Sequence, residues 1–366
     1  MTKLHDLYQQ QGQSVWIDYI RRQFIEDGGL QSAVDAGVRG VTSNPAIFEK
    51  AIAHSDDYDQ QIAELVKAGK SVEEIYEAIA IEDIQRASDI LRVVYDESDG
   101  GDGYVSLEVN PTLAKDTDGT IAEARDLFAR VDRPNVMIKV PATQAGIPAI
   151  KTLIGEGINV NVTLMFSLQD YDNVAGAYLD GLEQLAQNGG DLSKVASVAS
   201  FFVSRVESDM DEALEAAGNT DLLGKIAVAN TRLAYKRFQE WFSGDRWQAL
   251  ADQGARVQRP LWASTSTKND AYPDTKYVDE LIGPDTVNTM PPETKEAFLD
   301  HGTVARTIDQ NLDEAQQALD RLAELGIDYD AVTQNLQDVG VDKFEKPFTS
   351  LMESLRQKAN QLAQGA

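Results

Sequence analysis

A lysine lies inside a strand-like run, Val136-Met-Ile-Lys-Val-Pro141. Period-two alternation puts Val136, Ile138 and Val140 on one face of that run and Met137 and Lys139 on the other. Charged side chains are rarely buried unless paired. A buried amine is disfavoured as its ammonium form, which leaves a neutral nucleophile able to attack a carbonyl. Taken alone, Lys139 reads equally well as the ion-pair partner of Glu108 in a packed core. Neighbouring runs break the tie. Tyr104-Val-Ser-Leu-Glu-Val-Asn110 sets Ser106, Glu108 and Asn110 on one face, and Asn159-Val-Asn-Val-Thr-Leu-Met-Phe166 does the same with Asn159, Asn161 and Thr163. Asp18 lies in Trp16-Ile-Asp-Tyr19, and another run ends in Ser43-Asn44-Pro45, where Asn44 also suits a helix cap. A purely structural core would incur the desolvation cost of these polar groups on every one of the runs. The coincidence points to an active site.

That inventory is a lysine nucleophile, two carboxylates, amides and hydroxyls. It suits amine attack on a ketone, loss of water to an imine, and carbon–carbon cleavage with carboxylates moving the protons. The chain has no cysteine and three histidines (His5, His54, His301). Thiol catalysis, zinc–thiolate sites and iron–sulfur clusters are thereby excluded, and the several histidine ligands of a metal-dependent aldolase cannot be supplied. No metal and no cofactor is expected. Anion contacts come later: Ser200-Phe-Phe-Val-Ser-Arg205 puts a serine and Arg205 just beyond the sixth strand, and Ser264-Thr-Ser-Thr-Lys-Asn269 puts Lys268 beyond the seventh. Thirty-three basic against sixty acidic residues leave a net charge of −27. Such a field repels nucleic-acid backbones and anionic lipid, so neither is an expected partner. An anionic substrate needs a local cationic cluster, which Arg205 and Lys268 would form.

Eight short β-branched or aromatic runs carry these residues: Ser14–Tyr19, Gly40–Asn44, Tyr104–Val109, Val136–Pro141, Asn159–Phe166, Val195–Val203, Pro260–Thr265 and Thr286–Met290. Amphipathic helical stretches such as Ile121–Val131, Gly146–Gly155 and Ser167–Asn188 separate them. Strands alternating with helices call for a parallel sheet, and eight units predict a closed (β/α)8 barrel, with a doubly wound open sheet as the competing fold. Two helices, Asp56–Lys67 and Val72–Tyr95, are expected between the second and third strands. Two more are expected in Glu207–Gln253. The tail, Asp309–Ala366, is expected to hold a further two, the last starting after Lys346-Pro347. No Pro/Gly-rich linker interrupts the 366 residues, so one domain is expected, with 309–366 a helical extension packed on it. Asp96-Glu-Ser-Asp-Gly-Gly-Asp-Gly103 reads as a solvated acidic turn whose spacing does not fit a calcium loop. No phosphate-binding glycine fingerprint follows a strand. The N-terminus lacks an apolar leader core, and no run of apolar residues is long enough to span a bilayer, so a soluble cytoplasmic protein is expected.

These motifs resemble the transaldolases, above all their longer bacterial form. The likeness rests on Thr42-Ser-Asn-Pro-Ala-Ile-Phe48, Val105-Ser-Leu-Glu-Val109, Val136-Met-Ile-Lys-Val-Pro-Ala-Thr143, Gly157-Ile-Asn-Val-Asn-Val-Thr-Leu-Met-Phe166 and Ser200-Phe-Phe-Val-Ser-Arg205. It runs in order from Asp18 to Asn269, and the tail carries no motif. The resemblance implies a Schiff base on Lys139. Asp18 would take the proton from the donor's C4 hydroxyl. Glu108 with Thr163 would hold the water that mediates proton transfer. Asn44 and Asn161 would hold the retained dihydroxyacetone unit, and Ser200, Arg205 and Lys268 the phosphate, with Phe202 lining the pocket. The family often has arginine where Lys268 aligns, which would make that contact a point charge rather than a fork. Phe201 stands where relatives can have proline. The implied reaction moves dihydroxyacetone from sedoheptulose 7-phosphate to glyceraldehyde 3-phosphate, without a cofactor, in a monomer or homodimer. Two alternatives stand beside it. A fructose 6-phosphate aldolase would quench the same enamine, but such relatives tend to carry an uncharged residue where Glu108 stands. A non-catalytic sugar-phosphate-binding barrel would require loss of a catalytic group.

Overall fold

A computed structural model of the chain describes residues 1–364. Among the described residues, eight strands form one parallel sheet in sequential order: β1 (Gln13–Asp18), β2 (Val38–Thr42), β3 (Val105–Glu108), β4 (Val136–Pro141), β5 (Val160–Met165), β6 (Ser197–Phe202), β7 (Arg259–Ala263) and β8 (Thr286–Met290). β8 pairs back with β1 from Gln13↔Thr286 to Ile17↔Met290, so the sheet closes and the open-sheet alternative falls. Helices wrap the barrel, and both faces of each strand are therefore buried. β4, β5 and β6 are buried at every position. The polar–apolar alternation survives inside this uniform burial because one face meets helices and the other the lumen. Register sets Glu108 opposite Lys139, and Lys139 opposite Asn161, in one row across three strands. Trp16 packs against Gly40, where a Cβ would collide with the indole ring, so only glycine fits there.

Four expectations need correction. Three helices, not two, separate β2 from β3: Pro45–Ala53, Asp59–Lys67 and Val72–Glu97. The unforeseen first one starts at the Asn44 cap, with Pro45 at its first position, where a missing N–H costs nothing. Three also follow β6: Ser204–Ala216, Ile226–Trp241 and Gly244–Ala251. In the tail, Leu312–Glu324 precedes a single helix, Tyr329–Gln364, that runs through Pro347 instead of starting after it. An interior proline costs about 3 kcal/mol. Burial of Leu336, Val341, Phe344, Leu351, Met352 and Leu355 against the barrel and the Pro45–Ala53 helix offsets that cost. Finally, the acidic turn is not wholly solvated. Asp102 is 1% exposed and enters the base of the barrel, where it accepts hydrogen bonds from Ser14, Trp16, Arg39 and Arg259.

Candidate active site

At the C-terminal ends of the strands the lumen opens into a cavity of about 620 Å³. Its lining includes Asp18, Thr42, Asn44, Lys139, Thr163, Ser200, Phe202, Arg205, Lys268 and, from the C-terminal helix, Phe344. Lys139 is 5% exposed. Its Nζ donates to the Ser43 carbonyl at 3.0 Å and lies 3.5 Å from Glu108 Oε2. Asp18, the last residue of β1, accepts from Thr42 Oγ1 at 2.7 Å, and Thr42 in turn meets Thr289 Oγ1 at 2.7 Å. Burial pushes the Asp18 and Glu108 carboxyls above their ordinary values, and Lys139 counteracts this only in part. Burial likewise lowers the pKa of Arg205, against the pull of Asp18 and Glu108. An arginine stays cationic at any physiological pH even so.

Among the described residues, three buried polar atoms here have no hydrogen-bond partner: Glu108 Oε2, Thr163 Oγ1 and Arg205 Nη1. Leaving a buried donor or acceptor unmatched costs on the order of 1–3 kcal/mol. Three such atoms around one lysine mark a surface shaped for something other than the protein itself.

The predicted residues do not all present themselves in the same way. Asn161 spends its amide on neighbours: Nδ2 donates to Ser106 Oγ at 2.9 Å, and Oδ1 accepts from Ser200 Oγ at 2.7 Å. Ser200 is within β6, not beyond it, and this bond ties it to the lysine's row. Asn44 Oδ1 accepts from Ile47 N at 3.0 Å, so Asn44 is a helix cap as well as a lining residue. Arg205, in the first turn of the Ser204–Ala216 helix, sits with its Cζ 5.1 Å from the Phe202 ring centroid. Lys268 is exposed at the rim and donates to Ser266 Oγ at 2.6 Å. Glu108 stands behind the main cavity and borders a narrow hollow of about 50 Å³ under the Val72–Glu97 helix. Two residues expected on lumen faces are elsewhere. Asn110 caps the turn after β3 by accepting from Thr112 N at 3.0 Å, and Asn159 is spent on the backbone of Pro134, Val136 and Ala196.

Sequence reasoning missed Thr42, Thr289, the Ser43 carbonyl and Phe344. Thr42 lies at the head of a motif already singled out, and its place at a strand end is the signal that would have found it. Phe344 carries no local signal, since it is one apolar residue in an amphipathic helix.

A family model described as Transaldolase/Fructose-6-phosphate aldolase matches residues 15–355. The chain is 52% identical to a protein named Transaldolase from Acidothermus cellulolyticus, over 93% of this chain and 92% of that one. It is 49% identical to one from Saccharopolyspora erythraea and 48% identical to one from Trichodesmium erythraeum, each over 96% of both chains.

Proposed function

The chain belongs to the transaldolase/fructose-6-phosphate aldolase family, and from that premise we propose that it is a transaldolase working through a Schiff base on Lys139. It moves a dihydroxyacetone unit from sedoheptulose 7-phosphate to glyceraldehyde 3-phosphate, giving erythrose 4-phosphate and fructose 6-phosphate. The observation that carries the mechanism is a buried amine 3.5 Å from a buried carboxylate, with a second carboxylate, Asp18, lining the same cavity.

Lys139 Nζ attacks the donor's ketone carbon, and the resulting carbinolamine loses water to an imine. Glu108 and Thr163, whose buried oxygens have no hydrogen-bond partner among the described residues, carry the protons of that dehydration through one bound water. Asp18 takes the proton of the C4 hydroxyl while the C3–C4 bond breaks. A carboxylate with an elevated pKa suits a group that accepts a proton and then returns it to the incoming aldehyde's oxygen. The imine nitrogen accepts the electron pair of the broken bond, and the enamine waits on Lys139. Asn44 and Asn161 hold the hydroxyls of the retained unit, and Ser200, expected among the phosphate contacts, joins them in this reading because its hydroxyl is bonded to Asn161 Oδ1 in the lysine's row. Arg205, with no carboxylate hydrogen-bonded to it, receives the phosphate, and Lys268 adds a rim charge. Binding of sugar phosphates to so acidic a chain then depends on these few cations.

The 309–366 segment belongs to the barrel domain in this reading, since its last helix supplies part of the cavity wall. None of the described helices is long and apolar enough to cross a membrane; a cytoplasmic location goes with the metabolic role. The reaction is tested by borohydride trapping with fructose 6-phosphate followed by peptide mass spectrometry. A reduced three-carbon adduct on Lys139, absent in Lys139→Ala, is the expected result. An adduct on no lysine of the folded protein would overturn the covalent mechanism. Supplying an acceptor aldehyde then separates transfer from the simple cleavage of an aldolase.

A further inference from the structure

We propose that Phe344, on the C-terminal helix, is a positioning residue that decides how the Lys139-bound enamine is divided between transfer to an aldehyde and premature release. This rests on the Schiff-base reading and extends it, because no residue of that helix enters the mechanism above. Phe344 is 5% exposed and lines the cavity. Its ring centroid is 5.8 Å from Lys139 Nζ and 5.9 Å from Arg205 Cζ. Arg205 also lies 5.1 Å from the Phe202 ring, so its guanidinium sits beside two aromatic rings. Aromatic faces attract a cation without occupying its N–H donors. The donors of Arg205 thus stay free for an anion while its plane is held.

The ring is pinned along its own helix. Two turns before it, Gln337 Nε2 donates to the Ala142 carbonyl at 3.1 Å and the Leu164 carbonyl at 3.2 Å, beyond β4 and within β5. One turn after it, Phe348 packs edge-on against Tyr76, with centroids 5.6 Å apart. The helix is thus held on both flanks of Phe344, whose ring lies 5.8 Å from the amine.

That cover acts on one branch of the chemistry. In release, the enamine carbon takes a proton, water adds to the imine carbon, and the carbon–nitrogen bond to Lys139 breaks. The proton returns as the amine leaves, so one water is consumed and dihydroxyacetone is freed. In transfer, the same carbon first bonds to the acceptor's aldehyde carbon, and only the longer imine is hydrolysed. Excluding water and stray proton donors slows the first route before an acceptor arrives and leaves carbon–carbon bond formation intact.

The test uses the full chain as wild type, Phe344→Ala and Phe344→Leu. With fructose 6-phosphate as donor, dihydroxyacetone release is measured without acceptor, and transfer with erythrose 4-phosphate. Phe344→Ala is expected to raise the release-to-transfer ratio on the order of tenfold. Phe344→Leu keeps most of the volume but no aromatic face; it is expected to shift the ratio less and to raise KM for fructose 6-phosphate a few-fold. A ratio unchanged in Phe344→Ala, with both rates falling together, would reduce Phe344 to packing and overturn the inference. Should the alanine variant not fold, Phe344→Leu decides: unchanged ratio and unchanged KM sink it. Borohydride trapping of the wild type keeps the failures apart, since a trapped Lys139 with an unchanged ratio refutes this inference alone, and an untrapped one refutes the parent mechanism.

Discussion

At the base of the barrel, Asp102 accepts from Trp16 Nε1 at 2.9 Å, Arg39 Nε at 2.8 Å and Arg259 Nη2 at 3.2 Å, and also from Ser14. At the mouth, Asp18 accepts one hydrogen bond, from Thr42, and Glu108 Oε2 has only Lys139 at 3.5 Å. Both ends bury carboxylates beside cations, yet their protonation moves in opposite directions. Burial alone would raise Asp102, but Arg259, Arg39 and the Ser14 hydrogen bond outweigh it and hold the carboxyl below its ordinary value. At the mouth burial wins, and Asp18 and Glu108 are raised. Matched charge makes the base a structural plug. At the mouth it is hydrogen bonding that is left incomplete, so a ligand there can complete it.

The contrast is broken most directly at its extremes. Lys139→Ala should lower transfer by about four orders of magnitude or more, in protein that still unfolds cooperatively; residual activity near wild type would refute the assignment of the mouth. Asp102→Ala should destabilise the chain by about 3 kcal/mol, since it removes a buried carboxylate that two partly buried guanidiniums share. Denaturant unfolding measures this, and Lys139 in the surviving folded fraction should still be trapped by borohydride. Glu108→Gln should do the reverse: imine formation slows by about two to three orders of magnitude, while unfolding shifts less than in Asp102→Ala, because this carboxylate meets one cation at 3.5 Å and not four hydrogen-bond donors. If Glu108→Gln proved as destabilising as Asp102→Ala, the two ends would be alike.

The dependence on pH sharpens the same distinction. Asp18 must be ionised to accept a proton, and its raised pKa places the acid limb of kcat/KM above the ordinary carboxylate value of 3.8. For stability the signs differ. Asp18 and Glu108 hold protons more tightly when folded, so their contribution is greatest at low pH and is lost as pH rises through the folded values. Asp102 contributes above 3.8 and loses that contribution as pH falls through its depressed folded value. Unfolding of wild type and Asp102→Asn across the acid range should therefore converge at the lowest pH. The smallest effect belongs to the rim. Lys268→Ala should raise KM for a phosphorylated donor only a few-fold, and Arg205→Ala should raise it more, because the rim cation is solvated and the inner one is not.

Much of the mouth was legible because strand alternation is a local property. Lys139, Glu108 and Thr163 announce their shared face through nearest neighbours, and β8 and the Gly146–Gly155 helix begin and end where the pattern puts them. Asn110 and Asn159 misled for the same reason. Alternation gives a side chain's direction but not whether a turn or a neighbouring carbonyl claims its amide first. Pro347 misled because propensity is a weak prior against a helix buried along much of its length.

From its own pattern, then, the chain determined a barrel of alternating units, a lysine and two carboxylates directed to one lumen, and its family, because each of these is written in short-range periodicity and contiguous motifs. Tertiary structure alone decided which polar groups are satisfied and which are left over. It carried Asp102 out of a glycine-rich turn into the barrel base, bonded Asn161 to Ser106 and Ser200, left Arg205 Nη1 without a hydrogen-bond partner among the described residues, and brought Phe344 from the far end of the chain to the lysine. Hydrogen-bond satisfaction and burial depend on groups distant in sequence, and only closure of the barrel and docking of the last helix bring those groups within reach.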